Sequence, residues 1–160
     1  FWNRAIMACV GHLNENLNYI MDYELWVRMA LAGADFKRLG DPPLATYRLT
    51  GDTKTVATMH KVGLEKLAVL DWLMSDPRLP AKTGLSPAKL ERLVKRARSL
   101  ASLKVARGYA RMPGRRNQSL RWLIKAAWMW PPCLMLFPEH LVKRLWVGAT
   151  TRLGADPPTW

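Results

Sequence analysis

Hydrophobic positions recur with a helical period over most of this chain. Arg4 to Val10 has room for about two helical turns, closed by Gly11, and His12-Leu13-Asn14-Glu15-Asn16 reads as a polar turn. From Asp22 onward, Leu25, Trp26, Met29 and Ala30 fall on one helical stripe. That helix should stop at Gly33, whose missing Cβ admits a left-handed cap. The period then changes. Phe36 to Leu39 and Leu44 to Leu49 read as two short strands joined by Gly40-Asp41-Pro42-Pro43, and alternation in the second sets Ala45, Tyr47 and Leu49 on one face and Thr46 and Arg48 on the other.

After the polar loop Gly51 to Thr55 the helical period returns, which places a boundary near residue 55. A helix from about Thr55 to Met74 carries Val56, Met59, Gly63, Leu67, Leu70 and Met74 as its stripe and stops before Pro77. Ser86-Pro87 opens another, with serine as N-cap and proline where a missing N–H costs nothing. Its expected buried stripe is Leu90, Leu93, Val94, Ala97, Leu100, Ala101 and Val105, and its outer face carries Lys89, Arg92, Lys95, Arg96 and Arg98. Met112-Pro113-Gly114 breaks the chain. Leu120, Leu123, Ile124, Ala127 and Trp128 then drive a helix that ends at Pro131-Pro132, and a last helix is expected from about Pro138 to Leu153. Residues 101–131 have the look of one tetratricopeptide-type pair, but a repeat array needs about three such units. The pattern therefore predicts a mostly helical α+β chain, with residues 1–55 as one part and 56–160 as a basic helical part.

Charge sharpens that division. Residues 1–60 carry six Lys or Arg against six Asp or Glu, so the net charge of +13 falls entirely in residues 61–160. Such a field favours anionic partners, whether phospholipid, nucleic acid or a phosphorylated ligand; the alternative is a solvated basic face. Cys9 and Cys133 are far apart and unpaired by spacing, which fits a reducing cytosol, and His12, His60 and His140 stand without a second ligand at metal spacing. No apolar run reaches the ~20 residues of a membrane span. Phe1-Trp2 reads like the end of a strand already under way, which points to a truncated domain.

Candidate chemistry is concentrated at Tyr19-Ile20-Met21-Asp22-Tyr23-Glu24-Leu25-Trp26-Val27-Arg28. Asp22 precedes a helix, so it reads as an N-cap; helix N-termini favour negative charge, and a carboxylate at the rim of a cleft also suits a general base. Asp22 and Glu24 as a metal pair are disfavoured, because residues two apart diverge by about 200° on a helix. Arg48, with Thr53, Lys54 and Thr55 nearby, reads either as an anion contact or as an exposed strand arginine. Trp26 reads as core.

Phe1-Trp2-Asn3-Arg4, Val10-Gly11-His12-Leu13-Asn14-Glu15, the block from Tyr19 to Arg28, and Tyr47-Arg48 together resemble the carboxy-terminal part of the catalytic domain of family 2 glycosyltransferases. The resemblance covers residues 1 to about 55. It implies the C-terminal portion of a GT-A (α/β) domain followed by a helical, bundle-like tail, and transfer of a sugar, with inversion, from a nucleotide-sugar donor to a hydroxyl of a glycan or lipid-linked acceptor. It further implies Asp22 as the base, Arg48 and Lys54 beside the donor diphosphate, and a divalent metal (Mn2+ or Mg2+) whose ligands are not in this chain. The chain departs from the pattern at Asn3, Asn14 and Thr50, and no Asp-x-Asp occurs in it, so by itself it should not turn over donor. A cytoplasmic location follows, at the membrane face if Leu141, Val142, Leu145, Trp146 and Ala149, beside Lys143, Arg144 and Arg152, rest on anionic lipid. The competing reading is a basic helical module for protein interaction or nucleic acid; the latter is disfavoured because the basic helix lacks interleaved aromatics.

Overall fold

A computed structural model describes residues 4–38, 40, 46 and 58–136. Among them the chain forms α1 (Arg4–Val10), α2 (Met21–Leu31), α3 (Met59–Ser75), α4 (Arg78–Thr83), α5 (Pro87–Ala110) and α6 (Arg116–Met129), followed by a 3-10 segment, Pro131–Leu136. No described residue is in a strand. The expected α+β fold, and with it a GT-A (α/β) architecture, is therefore corrected to an all-helical one. Phe36, Lys37 and Arg38 run irregularly, and Phe36 is 59% exposed. An extended triplet becomes a strand only when a neighbour takes up its N–H and C=O groups, and no described residue does so here. Thr46 is not in a strand either; the rest of Leu44 to Leu49, the Thr55 start of the third helix and the expected helix from Pro138 to Leu153 lie outside the described residues.

The helical expectations fare better. Gly11 (φ 77°) and Gly33 (φ 90°) take the left-handed conformation that closes α1 and α2. Ser86 caps α5, its Oγ accepting from the Lys89 N–H at 3.4 Å, with Pro87 in the first turn. α4 was not expected, because Asp76-Pro77-Arg78-Leu79-Pro80 reads as a break. Proline in a first turn removes no intrahelical bond, and Asp76 Oδ1 accepts from the Arg78 N–H at 2.9 Å. The Arg78 side chain, 2.6 Å from that carboxylate, helps hold the Asp76 carboxyl down at about 2.

Two close helix approaches organise the bundle. α3 and α5 run antiparallel with glycine at each crossing: a Cβ on Gly63 would stand 2.6 Å from Val105 Cγ2, and one on Gly108 would stand 2.4 Å from the His60 N. His60 is buried there, its ring 5.1 Å from that of Tyr109. α5 and α6 approach through small residues, since Ser99, Ser102, Ala106, Ser119 and Ala126 are all fully buried. The Ser99 hydroxyl donates to the Ala126 carbonyl at 2.7 Å, and the Ser119 hydroxyl donates to the Ala106 carbonyl at 2.8 Å. These bonds set the rotation of α6. Leu120, Ile124 and Trp128, expected to face inward, instead form an exposed stripe, with Trp128 at 86%; Leu93 of α5 is likewise exposed.

α2 is fastened to this bundle at both ends. Ile20, Val62 and Val69 cluster at its start, and Leu31, Leu79, Leu90 and Val94 cluster at its end. Helices from both sides of the boundary expected near residue 55 thus share two apolar clusters. No described helix is long and apolar enough to cross a membrane.

Candidate functional site

The first turn of α2 has no cap of its own. Its N-cap residue, Ile20, carries no side-chain acceptor, so the N–H groups entering the helix need a partner from elsewhere. Glu65 of α3 supplies it: Oε1 accepts from the Asn18 N–H at 2.9 Å, and Oε2 accepts from the N–H groups of Tyr19 and Ile20 at 2.8 and 3.2 Å. A carboxylate far along the chain thus fixes the backbone that presents Asp22.

The other side of α2 is fastened by an ion pair. Glu24 is buried, and both of its oxygens meet Arg28, at 2.7 Å to Nε and 3.0 Å to Nη2. Arg28 also donates to the carbonyls of Val10 and His12, tying the polar turn and the end of α1 to the helix. Glu24 is consequently committed to Arg28.

Asp22 is left to solvent. It is the second residue of α2 rather than its N-cap, and its Oδ1 accepts from the neighbouring Tyr23 N–H at 2.7 Å. One turn later on the same face stands Trp26, expected to be core but 44% exposed. The two side chains share an open face of α2. On the adjoining face, Met21 and Leu25 line an open cleft of about 540 Å³ with Met7, His12, Leu13, Glu15, Leu17 and Asn18. Asp22 flanks this cleft without lining it.

The structure does not assemble a divalent cation site around Asp22. Glu24 is engaged, and among the described residues no three His, Cys, Asp or Glu side chains converge. Arg48 and Lys54, the expected diphosphate contacts, lie outside the described residues. Comparison with protein-family models, with curated proteins and with solved structures finds no match to this chain.

Glu65 and the tyrosines flanking Asp22 escaped the sequence reading. Lys66 lies over the Tyr23 ring at 4.9 Å and Lys61 over the Tyr19 ring at 6.0 Å. No local pattern announces such pairings, because they link residues over forty positions apart.

Proposed function

We propose that this chain carries the acceptor side of a sugar-transfer site, with Asp22 as the base. The observation behind this reading is that Asp22 and Trp26 stand four residues apart on one exposed face of a helix anchored at both ends. An indole face accommodates the apolar C–H face of a pyranose, and a carboxylate one turn away is within reach of a ring hydroxyl lying on it. The motif surrounding Asp22 supports the same chemistry; the reading rests on these residues rather than on the all-helical fold.

In the reaction, the acceptor hydroxyl oxygen attacks the anomeric carbon of a nucleotide sugar. The new C–O bond forms as the bond from that carbon to the diphosphate oxygen breaks. The hydroxyl proton passes to Asp22, and the nucleoside diphosphate leaves with the electron pair. The role of α2 is positional, since Glu65 and the Glu24–Arg28 pair hold the carboxylate where the hydroxyl arrives, and proximity of this kind lowers a barrier without new chemistry.

The test is Asp22→Asn in the protein as its gene encodes it, reading nucleoside diphosphate release and transferred sugar across a panel of nucleotide-sugar donors. Loss of a general base should lower kcat by about 10²–10⁴-fold, while donor binding and the melting temperature stay put. Trp26→Ala should chiefly raise the acceptor KM. Undiminished turnover in Asp22→Asn removes this residue as the base.

A further inference from the structure

The junction of α2, α3 and α5 concentrates cations that form no ion pair with an acid among the described residues. Antiparallel packing sets residue 60 beside 108 and residue 63 beside 105. Close by, Arg111 Nη1 stands 3.2 Å from the Met59 sulfur, and Lys66 is near enough to Lys104 for their charges to oppose each other. Lys104 and Arg107 of α5 and its C-cap residue Arg111 recur at i, i+3 and i+7, so they share one face, and Lys66 of α3 lies over the Tyr23 ring at 4.9 Å.

These charges oppose one another. Lys104 is half-buried, and burial first, then Lys66 and Arg107, holds its ammonium below the ordinary lysine range. Burial and then Arg111 lower Arg107 in the same sense. The Arg107 Nε is buried and meets no acceptor among the described residues. None of the ion pairs formed among the described residues involves Lys66, Lys104, Arg107 or Arg111. The nearest acid along α3, Glu65, has both oxygens taken by backbone N–H groups. Partly buried like charges with an unused guanidinium donor cost stability unless something answers them. Phosphate oxygens do so best, because they accept charge-assisted bonds from Arg and Lys together.

We infer that the cationic face formed by Lys66, Lys104, Arg107 and Arg111 binds a phosphate or diphosphate group. This goes beyond the sugar-transfer reading and stands independently of it. The group belongs either to a free phosphorylated molecule or to a lipid headgroup, and the same cations serve both.

The experiment titrates the purified chain with inorganic pyrophosphate by calorimetry. In parallel it measures co-sedimentation with phosphatidylcholine vesicles with and without phosphatidate. Lys104→Met and Arg107→Gln are compared with a double variant, Arg92→Gln with Lys95→Gln, which removes two exposed charges from the outer face of α5. Pyrophosphate binding weakened at least about tenfold by Lys104→Met or Arg107→Gln, a 1.4 kcal/mol effect, and less than about twofold by the double variant, supports a free ligand. The same ranking for phosphatidate vesicles alone supports a headgroup. Without ligand, Lys104→Met should melt higher than the wild type, because it relieves repulsion; a lysine kept for packing would melt lower on removal. Binding to neither probe, equal loss in the double variant, or a lower melting temperature for Lys104→Met each overturns the proposal.

Discussion

At the scale of single residues, two glycines decide how closely the helices come together. Gly63 faces Val105 Cγ2 at 2.6 Å and the Ala101 carbonyl at 2.8 Å, measured from where a Cβ would be. The valine methyl could turn aside, but the carbonyl belongs to the α5 backbone and cannot. Gly63→Ala gains up to about 1 kcal/mol in helix propensity and incurs an overpacking cost of about 1–3 kcal/mol. With backbone in the way the cost wins, so the variant should lose about 1–2 kcal/mol in denaturant unfolding. A neutral result would mean that α3 and α5 separate easily, and the register on which the cationic face depends would go with it. His60, at the same crossing, is buried with its Nδ1 unpartnered among the described residues.

Elements bring in what no single residue can supply. Ile20 at the start of α2 offers no side-chain cap, and Glu65 accepts from three backbone N–H groups leading into that helix. Glu65→Ala should lower stability by about 1–2 kcal/mol. Glu65→Gln should recover only part of it, because an amide offers one oxygen where the carboxylate offers two. Chemical denaturation of the three proteins gives the comparison, and equal midpoints would show that these bonds contribute nothing net. The elements themselves were largely legible in the sequence. α2 and α5 announce themselves by stripe and terminator, with Gly33 in one case and Ser86-Pro87 in the other. α4 was hidden because its prolines read as breakers, although they occupy first-turn positions. The rotation of α6 was misjudged because Leu120, Ile124 and Trp128 outweigh serine and alanine in any hydrophobic pattern. Hydroxyl bonds and close backbone approach favoured the smaller face, a tertiary choice without a local signature. Asp22 stood out through its motif, whereas Trp26, Glu65 and Lys66 acquire their places only through packing.

For the whole molecule, the pH dependence of stability separates into two windows. His60 titrates below its usual 6.5, from burial first and then from Lys61 and Arg115. The unfolded chain therefore takes up a proton at a higher pH than the folded one does, so this contribution is fully present above about pH 6.5 and is lost as pH falls through the lower folded value. Asp76 acts further down: its carboxyl lies at about 2 against an ordinary 3.8, so its share is present above 3.8 and fades as pH falls toward 2. Melting temperatures from pH 7.5 to 5 should decline, and His60→Gln should flatten that decline while leaving the acid limb below pH 4 unchanged. A profile identical to the wild type would remove His60 as its source.

The Glu65 clasp also bears on the order in which the chain assembles. α5 and α6 already meet through residues 13 apart (Ser119 and Ala106), and α3 and α5 through residues 27 apart (Asp71 and Arg98), whereas the bond from Asn18 to Glu65 spans 47 residues. Loop-closure entropy rises with the length enclosed, and contacts between distant segments form late. The three-helix bundle is thus a template on which α2 settles, and the helix bearing the carboxylate finds its seat only after that bundle has formed.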